Sequence, residues 1–401
     1  MSHVVVVGGG QAASSCVARL RAKGFDGQIT LIGEEPALPY QRPPLSKAYL
    51  LGEMDLDRLF LRPASFYEDQ SITVRTNARV DSIDPDAKTV TVGSDTLEYT
   101  DLVLATGSIP RRLPAAIGGA LDGVLEVRTL ADADAMAPRF EAGKRVLIVG
   151  GGYIGLEAAA VAAKLGLKVT LVEAAERILQ RVAAPETSEF FRTLHKQHGV
   201  DIREGVGLER LTGNDHVDGA VLTDATSIEI DFAIVGVGIT PATELAEAAG
   251  LTVDNGIATN AQGQTSDPAI WAAGDCASFP APAGQMRLES VGGAIDMGEL
   301  VADNIMGAGR EYVVKPWFWS DQYDIKLQIA GLSTGYDRIV VRQGDETLSH
   351  WYYSGDRLLA LDAMNDPRAY MVGKRLIEAD KSPDPDAVGN PDIDLKALLK
   401  A

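Results

Sequence analysis

The chain alternates short apolar runs with segments of helical period. Four valines occupy positions 4–7, three glycines follow at 8–10, and a helical pattern then extends to about Lys23. After a glycine-flanked turn, a second apolar run covers 29–32 and ends in Gly33-Glu34-Glu35. Short, mostly apolar runs bounded by glycine-containing turns are typical of strands. The pattern therefore predicts a strand–helix–strand unit.

The same pattern returns in the middle of the chain. An apolar run at 146–149 leads into Gly150–Gly155, a helical pattern continues through Leu165, and a strand at 168–172 ends at Glu173. The repeated element is therefore a whole supersecondary unit and more than a glycine tripeptide.

Further runs indicate how these units are completed. Short strands are predicted near 72–75, 79–83, 88–92 and 101–105. The segments DFAIVGVG at 231–238 and AIWAAGD at 269–275 repeat the ending of strand into glycine, which indicates a first domain interrupted by an insertion. Two adjacent prolines, Pro43 and Pro44, keep the segment 39–47 out of a regular helix or sheet. From about Tyr312, period-two alternation indicates an antiparallel meander, followed by a short helix at 395–399.

These elements predict an α/β protein with two Rossmann-like dinucleotide-binding domains and a C-terminal α+β domain. The expected boundaries are 1–113 with 238–312 for the first domain, 114–237 for the inserted second, and 313–401 for the third.

Both glycine segments fit the dinucleotide-binding pattern G-x-G-x-x-G/A. In this pattern the first glycine permits the turn, the second lets the backbone approach a pyrophosphate, and the third small residue lets helix and strand pack closely. The positions are Gly8, Gly10 and Ala13 in the first copy, and Gly150, Gly152 and Gly155 in the second.

The acid that closes each unit bears on the choice of nucleotide. A carboxylate accepts hydrogen bonds from ribose hydroxyls and repels a 2′-phosphate, so Glu173 favours NADH over NADPH. Arg177, four residues on, could soften that preference. Glu34 is expected to do the equivalent work in the first unit, with Glu35 as a possible substitute.

Composition excludes several classes of partner. With 37 basic and 56 acidic residues, the formal charge of −19 argues against a nucleic-acid or anionic membrane surface. No stretch has the roughly 18 consecutive apolar residues of a membrane span, and no signal segment is visible, so we expect a cytoplasmic protein.

The cysteines and histidines suggest no metal site. Cys16 and Cys276 form no CxxC pair and are interpreted as buried packing residues. His195 and His198 could share a helix face, but without further ligands at metal spacing they are interpreted as polar surface residues.

Two dinucleotide sites in one chain imply electron transfer between the two nucleotides. A bound flavin with a diffusing nicotinamide is the economical pair, because nicotinamide delivers a hydride and a flavin can release electrons singly. Two NAD domains of an oligomeric dehydrogenase remain the alternative.

At this point the chain resembles a known family. The segments GGGQAA, PYQRPPLSKAYL, DLVLATGSIPR, LIVGGGYIGLE, GVGITP, TSDPAIWAAGDCA and PWFWSDQYDIKLQIAGL, in this order, are similar to the FAD-dependent ferredoxin reductases of bacterial oxygenase systems. The likeness is to the putidaredoxin-reductase type, with a glutathione-reductase-like fold, and it covers essentially the whole chain.

The resemblance implies roles for individual residues. For FAD these are Gly8, Gly10, Ala12 and Ala13 at the pyrophosphate, Glu34 at the ribose, Arg42 and Lys47 on the flavin side, Val291 by the isoalloxazine, Val80 and Arg128 lining the FAD site, and Gly274 with Asp275 at the ribityl chain. For NAD they are Gly150, Gly152, Tyr153, Ile154, Gly155, Glu157, Glu173 and Gly238.

Lys47 and Glu157 are the expected catalytic pair, since the resemblance places Glu157 at the nicotinamide carboxamide and pairs it with Lys47. The structural alternatives are a first-turn helix acid for Glu157, a solvated lysine for Lys47 and a helix N-cap for Asp275. Trp319 is expected at the ferredoxin-docking surface, although Trp317 and Trp319 could equally be packing residues on one strand face.

The resemblance implies hydride transfer from NADH to FAD and single-electron transfer to a two-iron ferredoxin that serves a haem-thiolate monooxygenase. A Rieske ferredoxin of a ring-hydroxylating dioxygenase and a rubredoxin remain alternative acceptors. An apoptosis-inducing-factor-like protein, which acts through redox-dependent association, is the alternative outside the enzymes. A thiol–disulfide reductase is disfavoured because no cysteine pair accompanies the flavin motifs.

Overall fold

The computed structural model describes residues 2–281 and 284–399. By internal contacts, the chain divides into two units. Unit 1 comprises Met1–Arg42, Asp55–Ile109 and Ile239–Pro316, and unit 2 comprises Pro43–Met54, Pro110–Gly238 and Trp317–Ala401. The chain therefore leaves unit 1 and returns to it twice, once for twelve residues and once for the inserted segment, and it leaves unit 1 for the last time at Trp317.

The strands of the two units are numbered together along the chain. They are β1 (His3–Val7), β2 (Gln28–Ile32), β3 (Ile72–Arg75), β4 (Ser82–Asp84), β5 (Thr89–Val92), β6 (Asp95–Glu98), β7 (Asp101–Leu104), β8 (Ser108–Pro110), β9 (Val124–Leu125), β10 (Arg145–Val149), β11 (Lys168–Glu173), β12 (Asp201–Glu204), β13 (Leu208–Gly213), β14 (Val217–Leu222), β15 (Ser227–Glu229), β16 (Phe232–Val235), β17 (Ile239–Pro241), β18 (Ile257–Ala258), β19 (Ile270–Ala272), β20 (Ala277–Ala281), β21 (Gly284–Met286), β22 (Trp317–Gln322), β23 (Ile325–Gly331), β24 (Arg338–Gln343), β25 (Leu348–Ser354) and β26 (Arg357–Met364).

The α-helices are α1 (Gln11–Ala22), α2 (Leu56–Leu59), α3 (Ala64–Asp69), α4 (Leu130–Met136), α5 (Tyr153–Lys164), α6 (Pro185–Gln197), α7 (Glu244–Ala248), α8 (Val291–Ile305), α9 (Pro367–Glu378) and α10 (Pro385–Gly389). Short 3₁₀ turns cover Pro43–Ser46, Ala115–Ile117, Ala137–Arg139 and Leu395–Leu399. Among the described residues, no helix has both the length and the apolar composition needed to cross a bilayer.

A parallel five-stranded sheet organises unit 1, in the order β19-β7-β1-β2-β3. Its central strand is apolar on both faces, and Val4–Val7 are at most 5% exposed. Helix α1 follows β1, and α8 packs beside it so closely that a Cβ at Gly298 would meet the Ala12 carbonyl oxygen at 2.4 Å. Because the strands are parallel, the segments that follow β1, β2, β7 and β19 leave from the same edge of the sheet.

Unit 2 contains a second parallel sheet, in the order β12-β11-β10-β16-β9. Its carboxyl edge gathers the second glycine loop after β10, Glu173 at the end of β11 and Gly238 shortly after β16. The predicted repeat of the strand–helix–strand unit is confirmed in its strand order and in its parallel register.

The C-terminal part of unit 2 is an antiparallel sheet, in the order β22-β23-β26-β25-β24. Helix α9 lies against it, where a Cβ at Gly373 would approach Leu361 to 2.6 Å. Helix α6 meets the same sheet through buried polar contacts, since Thr187 donates to Asp362 at 2.7 Å and the Tyr352 hydroxyl donates to the same carboxylate. Burial raises the pKa of Asp362 to about 6. The predicted fold class, with an α+β segment at the C terminus, is confirmed.

Asp303 ties α8 to α1. Its carboxylate is 3% exposed and accepts from Arg19 at 2.7 and 2.9 Å and from Arg310 at 2.5 Å. The hydrogen bond from Arg19 holds the pKa of Asp303 below its usual value against the opposing effect of burial. This ion pair fixes the helix that begins at Val291 against the helix that follows the first glycine loop.

Replacing Asp303 by asparagine is expected to lower the free energy of unfolding by about 1–3 kcal/mol at neutral pH, because charge-assisted hydrogen bonds to Arg19 are lost. The lowered pKa means that the stabilisation is complete above the unfolded value of about 4 and is lost as the pH falls through the lower native value. Urea unfolding across this acid range should show the two proteins converging. Glu299→Gln removes the more exposed partner of Arg19 and should change little.

Candidate functional site

The first glycine loop meets the steric requirements of a pyrophosphate cradle. Gly8 has φ of +131°, and a Cβ there would lie 2.0 Å from the Ala105 carbonyl oxygen, so the turn admits glycine alone. At Gly10, by contrast, a Cβ would meet no described atom within 4 Å beyond the local backbone. No described side chain caps α1 at this position. The open space and the uncapped helix terminus fit a bound phosphate.

Ala12 and Ala13 serve the packing of the loop. They are 6% and 0% exposed, and a Cβ at Gly274 would come within 3.0 Å of the Ala12 side chain. The small residues thus let α1 approach both α8 and the turn after β19.

The turn after β19 presents Asp275 beside the loop after β7. Ser108 donates to the Asp275 carboxylate at 2.9 Å. Asp275 lies in a turn and the N-cap of α8 is Ser290, which accepts from the Gly293 amide at 3.0 Å, so the interpretation of Asp275 as a helix cap is wrong. Val291 is the first residue of α8, and Val80 is 5% exposed in the core of unit 1.

The two acids after β2 have different surroundings. The Glu34 side chain is 68% exposed and pairs with Arg79 at 3.2 Å. Glu35 accepts from Arg42 at 2.6 Å and from the Tyr40 hydroxyl at 2.5 Å. Glu35 therefore orients Arg42, while Glu34 remains accessible to a ligand at the strand end.

The second glycine loop repeats the sterics of the first. Gly150 has φ of +109°, and a Cβ there would lie 2.3 Å from the Gly236 carbonyl oxygen. A Cβ at Gly155 would lie 2.1 Å from the Gly150 carbonyl oxygen, whereas one at Gly152 would meet no described atom within 4 Å beyond the local backbone. The middle glycine again leaves room for a ligand, and neighbouring Ile154 is 48% exposed.

Glu173 is fixed against this loop. Its carboxylate accepts from the Gly151 amide at 2.7 Å and from the Ala175 amide at 2.8 Å. Arg177 donates to Ser188 at 2.5 Å and to the Gln180 carbonyl at 3.4 Å, contacts that hold it to its own segment and to α6. Glu173 thus presents its charge at the loop with its orientation set by two amides.

Gly238 and Arg128 lie beyond the ends of β16 and β9. Gly238 has φ of +104°, and its carbonyl accepts from the Arg111 amide at 2.9 Å. Arg128 directly precedes Thr129, the N-cap of α4, and its amide donates to Asp132 at 3.1 Å. Arg128 and Lys47 both belong to unit 2, whereas the first glycine loop belongs to unit 1.

Glu157 is the most constrained side chain of the site. It is 5% exposed and accepts from the Lys47 ammonium at 3.0 Å, from Ser46 at 3.0 Å and from Ser320 at 2.7 Å. Burial raises the pKa of Glu157, and Lys47 and the two serine hydroxyls oppose that rise.

These contacts decide between the alternatives for the pair. Lys47 has a side chain only 15% exposed, so the interpretation as a solvated lysine is wrong. Glu157 lies beyond the first turn of α5, which contains no acid, so the first-turn interpretation is wrong as well.

Ser46 and Ser320 were not predicted as functional residues. Ser46 directly precedes Lys47 in the segment PYQRPPLSKAYL, so its position beside a predicted site residue could have indicated it. Ser320 lies far along the chain on β22, and only its inward position in the strand alternation pointed to it.

Aromatic residues surround the start of α5 and β22. Tyr153 contacts Phe318 with ring centroids 4.9 Å apart, and its hydroxyl is buried without a hydrogen-bond partner among the described residues. Trp317 and Trp319 stack with centroids 5.5 Å apart, which confirms their predicted position on one strand face. Trp319 is half-buried.

The histidine interpretation needs correction. His195 is 0% exposed and contacts Gln322 and Tyr323 through its two ring nitrogens, so it is not a surface residue. His198, which stacks on Tyr323 at 3.6 Å, is exposed as expected. The part of the chain that the structure describes contains no cluster of metal-ligating residues. Both cysteines are free and buried, as predicted.

Comparison with known proteins identifies the family. Residues 2–298 match the pyridine nucleotide-disulphide oxidoreductase family, and residues 317–399 match the reductase C-terminal domain. The chain is 44% identical over 384 residues to a ferredoxin–NAD(P)⁺ reductase of Sphingomonas sp., covering 94% of this chain and 92% of that protein. It is 41% identical over 409 residues to putidaredoxin reductase of Pseudomonas putida, covering 100% of this chain and 97% of that protein.

A solved structure agrees with the sequence comparison. The covalent putidaredoxin reductase–putidaredoxin complex matches with a TM-score of 0.96 and 40% identity over 100% of this chain and 98% of that one. The chain therefore belongs to the pyridine nucleotide-disulphide oxidoreductase family, which confirms the resemblance. It is an oxidoreductase, and its cofactors are FAD and a nicotinamide dinucleotide.

Because a Cβ at Gly152 would meet no described atom within 4 Å beyond the local backbone, a substitution there should affect ligand binding more than it affects stability. Gly152→Ala should leave the free energy of unfolding within about 1 kcal/mol of the parent, since only the propensity change remains. Its affinity for NAD⁺ should fall at least about tenfold, because the methyl group occupies the phosphate approach. Gly155→Ala is the contrasting variant, in which overlap with the Gly150 carbonyl should cost about 1–3 kcal/mol of stability. Calorimetric NAD⁺ titration measures the affinity and urea unfolding measures the stability. If Gly152→Ala and Gly155→Ala lost the same free energy of unfolding, the assignment of Gly152 to ligand binding would be contradicted.

Proposed function

We propose that this protein oxidises NADH through FAD and passes the electrons, one at a time, to a two-iron ferredoxin that serves a haem-thiolate monooxygenase. One observation carries the proposal. Two glycine loops with the same steric restrictions lie on two parallel sheets, and the helix after the second loop contains Glu157, which forms a buried ion pair with Lys47. FAD supplies the step between a two-electron hydride and single electrons.

The FAD-binding part is proposed to comprise residues 1–113 and 238–312. Gly8, Gly10, Ala12 and Ala13 receive the pyrophosphate at the uncapped end of α1, with Glu34 at the ribose. Gly274 and Asp275 hold the ribityl chain, Arg42 and Val291 lie toward the ring, and Val80 lines the site. The support from unit 1 is the convergence of strand ends at one sheet edge and the open space at Gly10. Lys47 and Arg128, which the resemblance also assigns to FAD, belong to unit 2.

The NAD-binding part is proposed to comprise residues 114–237, followed by Gly238. Gly150, Gly152 and Gly155 receive the pyrophosphate, Tyr153 and Ile154 flank it at the start of α5, and Glu173 accepts from the ribose. Lys47 and Glu157 are proposed to orient the nicotinamide end. Their role is positional, because hydride transfer requires the reacting atoms at about 3–3.5 Å and no proton-transfer base.

The ferredoxin is proposed to dock at the C-terminal part, residues 313–401, with Trp319 in the contact. Support comes from the relatives named as ferredoxin reductases and from the solved complex of putidaredoxin reductase with putidaredoxin. An aromatic side chain that is half-buried can supply contact area and exclude water from the electron path.

We also propose that the protein acts in the cytoplasm, where NADH is regenerated and thiols such as Cys16 stay reduced. Rieske ferredoxins and rubredoxins remain the competing acceptors. An interaction protein of the apoptosis-inducing-factor type would instead form a long-lived reduced complex that oxidises slowly.

Charge at Glu173 should set the choice of nicotinamide. The FAD-loaded protein should be bleached by NADH at least about tenfold more efficiently than by NADPH, because the carboxylate repels a 2′-phosphate. Glu173→Gln should keep one acceptor oxygen for the Gly151 amide and narrow that ratio. Stopped-flow flavin absorbance with both reductants measures it. A parent protein that prefers NADPH would show that Glu173 has another role.

A panel of purified acceptors should assign the partner class. We expect NADH-driven turnover to favour two-iron ferredoxins over Rieske ferredoxins and rubredoxins by at least about tenfold, or ~1.4 kcal/mol of transition-state discrimination. Trp319→Ala should slow ferredoxin reduction while flavin bleaching by NADH stays unchanged, and Trp319→Phe should retain most of the rate. Slow oxidation without turnover by any acceptor would favour the interaction protein instead.

A further inference from the structure

The Glu157 carboxylate is one end of a longer series of hydrogen bonds within unit 2. Ser320, which donates to Glu157, accepts in turn from the Gln322 side-chain amide at 3.1 Å. The Gln322 carbonyl contacts Nε2 of His195 at 2.8 Å, and Nδ1 of His195 contacts the Tyr323 hydroxyl at 3.0 Å. Ser320, Gln322 and His195 are each 0% exposed. Four side chains of two distant segments thus connect to one carboxylate.

The protonation of His195 follows from its partners. The Gln322 carbonyl can only accept, so Nε2 of His195 carries the hydrogen. Burial lowers the pKa of His195 to about 4, which leaves the ring neutral near neutral pH. Nδ1 then has a free lone pair and accepts from the Tyr323 hydroxyl.

The opposite orientation of the Gln322 amide is unfavourable. If its carbonyl faced Ser320, the serine hydroxyl would donate to it and would no longer donate to Glu157. A buried carboxylate would then lose a donor, at a considerable free-energy cost. Every donor in the series therefore points toward Glu157.

Strand geometry explains why β22 can supply two of these groups. Ser320 and Gln322 are two residues apart, so their side chains lie on the same face of the strand. That face is buried, and burying an uncharged polar side chain lowers stability unless the side chain is hydrogen-bonded. Trp317 and Trp319 occupy the opposite face. The strand therefore places polar groups inward, where apolar residues would be the usual choice.

We propose that Ser320 and Gln322, supported by His195, are positioning residues that hold the Glu157 carboxylate in one orientation for the nicotinamide end of the substrate. This rests on the proposed function, which assigns the nicotinamide to Glu157. Ser320 donates to the same oxygen that receives Lys47, and Ser46 donates to the other. The carboxylate thereby has donors on both oxygens from three segments of the chain, and rotation about its terminal bond is restricted.

The proposal makes a directional statement about pH. Among the described groups, Lys47 provides the charge that favours ionised Glu157, and Ser46 and Ser320 provide the neutral donors. Removal of a donor to the charged form raises the pKa of a carboxyl group. Without the Ser320 hydroxyl, Glu157 should protonate at a higher pH, and the acid limb of NADH-dependent flavin reduction should move in the same direction.

The test compares Ser320→Ala with the parent in the FAD-loaded protein. Infrared spectroscopy without NADH follows the protonated carboxyl band of Glu157, assigned by its loss in Glu157→Gln. Stopped-flow measurement then gives the pH profile of flavin reduction by NADH. We expect both titrations to move upward by about one pH unit in Ser320→Ala. Ser320→Cys, which keeps a similar shape and donates weakly, should shift them less in the same direction.

Ser349→Ala provides the matched control. Ser349 is also 0% exposed, lies in the same antiparallel sheet and contacts the carboxylate of Asp366 at 3.4 Å. Its removal should leave the Glu157 titration and the pH profile in place.

The outcomes are distinguishable. A slower rate in Ser320→Ala with unmoved infrared and kinetic titrations would show that the serine only fills space, and it would overturn the proposal. If NADH does not reduce the flavin of the parent protein, the proposed function is wrong. An upward shift of the infrared titration of Glu157 in Ser320→Ala would still show that Ser320 stabilises the ionised carboxylate. If Ser320→Ala does not fold, Ser320→Cys decides by the same two titrations.

Discussion

A carboxylate removed from water is unstable unless donors reach both of its oxygens, and three segments of unit 2 meet at one such group. Glu157 lies on α5, Ser46 and Lys47 come from the short excursion Pro43–Met54, and Ser320 comes from β22. This explains why twelve residues between two segments of unit 1 group with the other unit. Pro43 and Pro44 begin the 3₁₀ turn that ends at Ser46, and proline keeps such a segment out of a regular helix or sheet interior.

The glycine loops follow a different constraint, which is space. Gly8 and Gly150 are required by contacts within the protein, where any Cβ would overlap a carbonyl oxygen. Gly10 and Gly152 have no such neighbour among the described residues, so the protein alone gives no reason for them. A bound dinucleotide gives that reason. The same motif thus contains two kinds of glycine, one required by the fold and one that the proposed dinucleotide would require.

Local patterns predicted most of the fold and the sequence segments from which the candidate site is drawn. The two strand–glycine–helix units depend on neighbours in sequence, so their strands and the place of Glu173 at a strand end could be inferred directly, whereas the two amides that orient Glu173 could not. Ser320, Gln322 and His195 act through partners more than 100 residues away, and no local period reveals such contacts. His195 shows the limit clearly, because a polar residue near the end of a helix is usually exposed, and here the C-terminal sheet covers it.

The hydrogen-bond series between α6 and β22 also bears on how such reductases can be recombined. Its members come from both matched family regions, because His195 lies within residues 2–298 and Ser320, Gln322 and Tyr323 lie within residues 317–399. A chimaera that took residues 317–399 from a relative would bring a new partner to His195 and to Glu157 at once. In such an exchange the matching positions of α5 and α6 should be carried along with the C-terminal region, because Glu157 and His195 contact it directly.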